Sequence, residues 1–186
     1  MSPELINLIA QATGETLFMV GIAALLGTVF GLPLGVFLAT SRKGELFAAP
    51  AINGVLGVIV NATRSTPFII LVVAIIPFTR LVAGTSIGST AAIVPLTIAS
   101  TPFIARLVEA AIREVDAGLI ETASSFGASP IQIVLKVLIP EALPGLVLAL
   151  TLAVVSLLGY SAMVGAVGGA SVISASVTAI SASCRR

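Results

Sequence analysis

Apolar residues run through this chain in stretches too long for an ordinary soluble helix, with most polar residues gathered between them. An α-helix needs about 20 apolar residues to cross the hydrocarbon core of a bilayer. Thr16 to Thr40 is uncharged throughout and predicts a first crossing, stopped at Ser41-Arg42-Lys43-Gly44-Glu45. A second apolar run from Ala48 to Val60 is interrupted over Asn61 to Pro67 and resumes from Phe68 to Phe78, before Arg80. A third covers Ile87 to Ile104, with Pro95 and Pro102 inside it, and a fourth covers Gly145 to Val167. Between the last two lies a mixed stretch, residues 106–144, with Arg106, Glu109, Arg113, Glu114, Asp116, Glu121, Lys136 and Glu141. The fold class that follows is all-α, a polytopic membrane helix bundle with four spans. Residues 1–15 contain Glu4 and Glu15 but no Lys or Arg, unlike the basic start of a secretory signal. Glu4 to Ala12 predicts a weakly amphipathic helix near the membrane interface.

Composition supports lipid as the solvent. Of 186 residues, 58% are hydrophobic and 9% charged, whereas a soluble domain carries about 25% charged residues to face water. The length fits one domain. A formal charge of +1, no Trp and one Tyr leave neither a basic face nor stacking platforms for nucleic acid. Cys184 is the single cysteine and there is no histidine, so intrachain disulfides, Cys/His metal sites and the usual nucleophile–base pairs lack their parts. Neither catalysis nor a bound cofactor is expected.

The basic residues set an orientation. With four crossings, Arg42, Lys43, Arg106, Arg113 and Lys136 share one side, and the other holds Arg80 and the terminal arginines. The positive-inside rule then places residues 106–144 in the cytoplasm and the N-terminus outside.

Gly27, Gly31 and Gly35 recur at four-residue spacing, which lines one helical face and lets another backbone approach closely. Arg64 lies between two apolar halves and has two readings. It snorkels to the cytoplasmic interface if a helix starts near Asn61, or it is a polar group lining a path through the membrane. Pro67 lacks an N–H and holds Thr66 away from the α region, so a break is expected there. Pro95 and Pro102 free backbone carbonyls, compatible with a lined pathway or with a plain kink.

The charged stretch carries the densest local signals. Asp116 is placed to N-cap a short helix over residues 117–126, and Gly127 suits the left-handed position after it. Ser129, Pro130 and Gln132 are the N-cap, N1 and N3 residues of a second start with a capping box. That helix is expected to run to Ile139, where Pro140 and Pro144 end it. Ile131, Val134, Leu135 and Leu138 give it an apolar face that either docks on a partner or folds back on its own membrane domain.

At these residues the chain resembles a known family. Glu121-Thr-Ala123-Ser-Ser-Phe-Gly127, followed by Ile139-Pro140, is similar to the Glu-Ala-Ala…Gly…Ile-x-Leu-Pro loop of bacterial ABC-importer permeases. Thr122 departs from that pattern, as does the Glu141-Ala-Leu-Pro144 ending. Arg64-Ser-Thr-Pro-Phe68, Ile76-Pro-Phe-Thr-Arg80 and Gly159-Tyr-Ser-Ala-Met-Val-Gly165 resemble segments of permeases that import D- and L-methionine. The resemblance covers about Thr16 to Gly168 and implies the type I ABC importer permease fold. It implies two permease copies, two separate ATPase subunits, a periplasmic substrate-binding lipoprotein and the bacterial inner membrane. In that scheme Glu121, Ala123 and Gly127 shape a coupling elbow. Ser129, Ile131 and Leu135 belong to a docking helix that Pro140 closes. Arg64, Pro67, Pro95, Tyr160 and Met163 are candidate pathway or structural residues. The sequence contains no Gly-x-x-x-x-Gly-Lys-Ser/Thr, so ATP is expected to be handled by a partner chain.

After Gly168-Gly169 the pattern stops matching. Relatives of that family continue with a polar external loop and a fifth membrane helix, whereas residues 170–186 form a Ser/Ala/Val/Thr tail ending in Cys184-Arg185-Arg186. A frameshift near Gly169 or a natural short variant would each produce it. The functions in play are therefore a methionine permease, a permease for another small amino acid, and a truncated subunit that assembles without transporting. A small channel would have no use for an ATPase-docking loop.

Overall fold

The structure is a computed structural model, and it describes residues 3–41, 46–47, 49–85 and 88–166. The tail after Gly169, and with it the frameshift expectation, lies outside the described residues. Among the described residues every regular element is helical. The order is α1 (Pro3–Thr40), α2 (Pro50–Ser65), α3 (Phe68–Ala74), α4 (Ile76–Ala83), α5 (Ser89–Arg113), α6 (Ala117–Ser125), α7 (Pro130–Ile133), a π-helical turn (Val134–Leu138) and α8 (Ile139–Ala166). Among the described residues three helical stretches are long and apolar enough to cross a membrane: Ile6–Thr40, Thr90–Arg113 and Pro130–Gly165. A fourth crossing is available if α2 and α3, bent by 103° at their junction, count as one broken span.

Four boundaries differ from the sequence expectation. No separate interfacial helix precedes the first span, because α1 is continuous from Pro3. Nothing before Glu15 breaks a helix, and the Gln11 amide donates to the Glu15 carboxylate one turn on, at 3.3 Å. No helix starts near Asn61. Asn61 to Ser65 instead finish α2, and the break falls at Thr66-Pro67, where Pro67 is extended at φ −54°, ψ 130°. The third span does not stop at Ile104 but continues through Arg106 and Glu109 to Arg113.

The fourth difference concerns Pro140 and Pro144, which do not end the second short helix. A proline removes one helical N–H and crowds the carbonyl four residues back. Immediately before Pro140 the helix widens into the π turn, where the Ile139 N–H donates to the Val134 carbonyl five residues earlier. The wider turn absorbs the proline, and the helix runs on as α8 with Pro144 inside it.

The chain divides into two compact units. One comprises Met1–Gly27, Thr66–Ser100 and Val154–Arg186; the other comprises Thr28–Ser65 and Thr101–Ala153. The first is packed around Met19, Val20, Ala23, Leu96 and Leu157, with Phe68 stacked on Tyr160 at 4.6 Å between ring centroids. Its Ser100 hydroxyl lies 3.3 Å from the Ala23 carbonyl, tying α5 to α1.

In the second unit α1 and α5 touch backbone to backbone. A Cβ built on Gly31 would lie 2.8 Å from the Thr101 carbonyl oxygen, and one on Gly35 would lie 2.5 Å from that of Ala105. Only hydrogen fits at either position, so the glycine spacing does serve close helix packing. The Asn53 amide joins α2 to the end of α1, donating to the Leu38 carbonyl and to Ser41 Oγ, each at 2.8 Å.

Candidate coupling surface

Residues 116–138 form an elbow built from local chemistry. The Asp116 carboxylate caps α6 by accepting from the Gly118 N–H at 2.6 Å. At the other end Gly127 adopts φ 76°. Its N–H donates to the Ser124 carbonyl at 2.9 Å, and the Ala128 N–H donates to the Ala123 carbonyl at 3.1 Å. This is the Schellman closure, which needs a residue free of Cβ strain at the left-handed position. Ser129 then opens α7 with a reciprocal capping box. Its backbone N–H donates to Gln132 Oε1 at 2.9 Å, and its hydroxyl accepts from the Gln132 N–H at 3.4 Å. The two starts and the turn match the sequence expectation.

The apolar face of the second helix divides between two tasks. Ile133 and Leu138 are buried in a core shared with Ile104, Val108, Ile112, Ala142 and Leu146, and Val134 is buried as well. Ile131 and Leu135, one turn apart, stay 62% and 59% exposed, and Phe126 at the elbow is 86% exposed. Of the two alternatives posed on sequence, folding inward holds for Ile133 and Leu138, while Ile131 and Leu135 on the same helix stay uncovered.

The remaining elbow candidates have distinct places. Ala123 is half-buried against that same core. Glu121 is exposed on α6 and lines an open groove of about 790 Å³ with Thr40, Arg113, Ser124, Ser125 and Leu138. Pro140 is exposed in the first turn of α8.

A buried charge cluster underlies the elbow. Glu109 on α5 is 4% exposed and receives Arg106 on one carboxylate oxygen and Arg113 on the other, the latter at 2.8 Å. Arg106 also donates from Nη2 to the Gly57 carbonyl of α2 at 3.0 Å, while its Nε is buried without a hydrogen-bond partner. A carboxylate between two guanidiniums meets the requirement that a buried charge be paired. Sequence reading missed this cluster by assigning all three residues to a mixed cytoplasmic stretch between two spans. The spacing of three and four around Glu109 was the available signal, since such positions share a helix face.

The candidate pathway residues are divided between the two units. Arg64 belongs to the second unit, whereas Pro67, Pro95, Tyr160 and Met163 belong to the first. Tyr160 is taken up by its stack on Phe68, Pro95 is buried within α5, and Met163 is exposed on α8. Among the described residues no group of three or more acidic, cysteine or histidine side chains could hold a metal ion.

Long apolar helices and a capped elbow with exposed apolar side chains define a class: a helical membrane protein. Comparison with known proteins narrows the class. Residues 31–183 match the family described as binding-protein-dependent transport system inner membrane component. The chain is 53% identical to the probable D-methionine transport system permease protein MetI of Vibrio cholerae serotype O1, over 88% of this chain and 72% of that protein. It is 52% identical to the D-methionine transport system permease protein MetI of Escherichia coli (strain K12), over 89% of this chain and 76% of that one. Among solved structures, a chain of the MetNI methionine ABC transporter in inward-facing conformations aligns with a TM-score of 0.90 at 51% identity, covering 92% of this chain and 79% of that chain. A chain of an amino acid ABC transporter with histidines aligns with a TM-score of 0.79 at 25% identity, covering 98% and 82%. This chain belongs to the family of binding-protein-dependent transport system inner membrane components. It is a membrane transport permease with the type I ABC importer permease fold.

Proposed function

We propose that the chain is the permease subunit of an ATP-driven methionine importer of a bacterial inner membrane, that it works as a pair of copies, and that each copy's elbow docks on an ATPase subunit. A periplasmic lipoprotein delivers the substrate, the N-terminus lies outside, and residues 106–144 form the cytoplasmic coupling loop within a permease domain of residues 16–169. The observation that carries this reading is the split helix face. Ile131, Leu135 and Phe126 stay exposed on an elbow whose other face is locked into the core. Exposed apolar side chains on a rigid, capped support are what a partner's groove takes up. The relatives' names supply the substrate.

Motion imposed on such an elbow has a physical route into the membrane. Ile133 and Leu138 are packed against α5 and α8, and packed elements move as rigid bodies rather than deforming continuously. The groove carrying Glu121 and Arg113 sits where α6 meets the ends of α1 and α5. Displacement of the elbow would therefore tilt the helices that line the inner mouth of the pathway.

A second reading, import of another small amino acid, is favoured by the likeness to the amino acid transporter with histidines. Uptake separates the two. Proteoliposomes containing this chain, its ATPase subunit and its lipoprotein are expected to accumulate labelled methionine only with internal-face ATP. ATP-driven uptake of histidine without methionine would favour the second reading, and uptake of neither would remove both.

A further inference from the structure

We infer that Arg64 binds the carboxylate of the transported amino acid partway across the membrane; this rests on the permease reading above. Depth is the first support. Asn53 of α2 bonds to Leu38 and Ser41, beside the Arg42-Lys43 pair that marks the water-facing end of the first span. From residue 53 to residue 64 the α-helical rise is about 16 Å, roughly half of a 30 Å hydrocarbon core.

The second support is what surrounds the charge. Arg64 is exposed, and its guanidinium makes no ion pair with any described residue. The Phe103 ring lies beside it, 5.8 Å from the guanidinium carbon to the centroid. By contrast, Arg106 and Arg113, on the helix that carries Phe103, share the carboxylate of Glu109. An unpaired cation at this depth is costly against lipid and is normally found facing a bundle interior or a water-filled cavity. A ring on one face steadies the guanidinium by a cation–π contact and leaves its N–H edge free. That edge matches a carboxylate, which accepts two parallel N–H bonds from arginine. Arg64 also occupies the last turn of α2, where the helix dipole is negative and favours a resident cation.

The test is equilibrium binding of labelled methionine to the purified permease–ATPase complex without the lipoprotein, so that the permease alone sets affinity. Arg64→Gln should weaken binding roughly tenfold to a hundredfold, the range of a charged hydrogen bond, and Arg64→Lys should weaken it less. Methionine amide, which lacks the carboxylate, should compete poorly on the unaltered complex and no worse than methionine on Arg64→Gln. Co-purification of the ATPase and an unchanged dimer size check that each variant folds. Unchanged binding by Arg64→Gln, equal competition by amide and acid on the unaltered complex, or dissociation of the dimer on substitution would each overturn the inference. If the unaltered complex transports methionine while Arg64→Gln binds normally, the inference fails and the permease reading stands. If the unaltered complex neither binds nor transports methionine, the permease reading fails, and this inference with it.

Discussion

In the unit built from Met1–Gly27, Thr66–Ser100 and Val154–Arg186, the core is Met19, Val20, Leu96, Leu157 and a Phe68–Tyr160 stack. In the unit built from Thr28–Ser65 and Thr101–Ala153, an apolar core is supplemented by a carboxylate shared between two arginines, an asparagine bridging two helices and two glycines at backbone contacts. The elbow belongs to the second. Dispersion and apolar packing are non-directional and tolerate small readjustments, whereas charged and hydrogen-bonded contacts fix geometry. The buried ion cluster, the asparagine bridge and the two backbone contacts all lie in the unit that carries the elbow. The first unit joins α5 to α1 through Ser100 and the Ala23 carbonyl beside its apolar core.

Substitutions should expose that difference, the largest effects falling in the second unit. Glu109→Ala leaves two arginines without their shared partner, and loss of about 3 kcal/mol is expected, read as a lower unfolding midpoint of the detergent-solubilised protein. Glu109→Gln should recover part of that loss by keeping acceptor capacity. Gly35→Ala forces a methyl group into the Ala105 carbonyl, and overpacking of that kind costs about 1–3 kcal/mol; the same melting experiment should show it, with Gly21→Ala, where a Cβ meets nothing within 4 Å, as the mild control. Ser129→Ala removes the α7 cap at about 1 kcal/mol. Amide exchange should quicken over residues 130–133 before any change in global melting. Smallest is Tyr160→Leu in the first unit, which keeps apolar volume and forfeits the stack, about 0.5–1.5 kcal/mol. If Tyr160→Leu destabilised more than Glu109→Ala, the contrast between the units would be wrong.

Much of this architecture is legible in sequence where the chemistry is local. Asp116, Gly127 and the Ser129-Pro130-Gln132 start act through bonds between residues at most five apart, so a reader of the sequence can place them. Pro67 is legible for the same reason, since it restricts its own neighbour. Pro140 is not. Whether a proline stops a helix depends on whether the preceding turn can widen, and here that turn is held by the burial of Leu138 against residues far away in sequence. The Arg106–Glu109–Arg113 cluster was hidden for a related reason. Charged residues read as a mixed stretch between two spans until tertiary packing buries the helix that carries them. Exposure of Phe126, Ile131 and Leu135 was likewise invisible, because an apolar face does not reveal which of its residues the rest of the chain will cover.

The central claim is that the elbow is a docking surface, and co-purification of the ATPase tests it most directly. Ile131→Asp combined with Leu135→Asp alters two exposed side chains and leaves Ile133, Val134 and Leu138 in the core. The account predicts that the doubly substituted permease still reaches the membrane and runs as a dimer, and that it no longer retains the ATPase subunit through purification. Full retention of the ATPase by a well-folded double variant would contradict it.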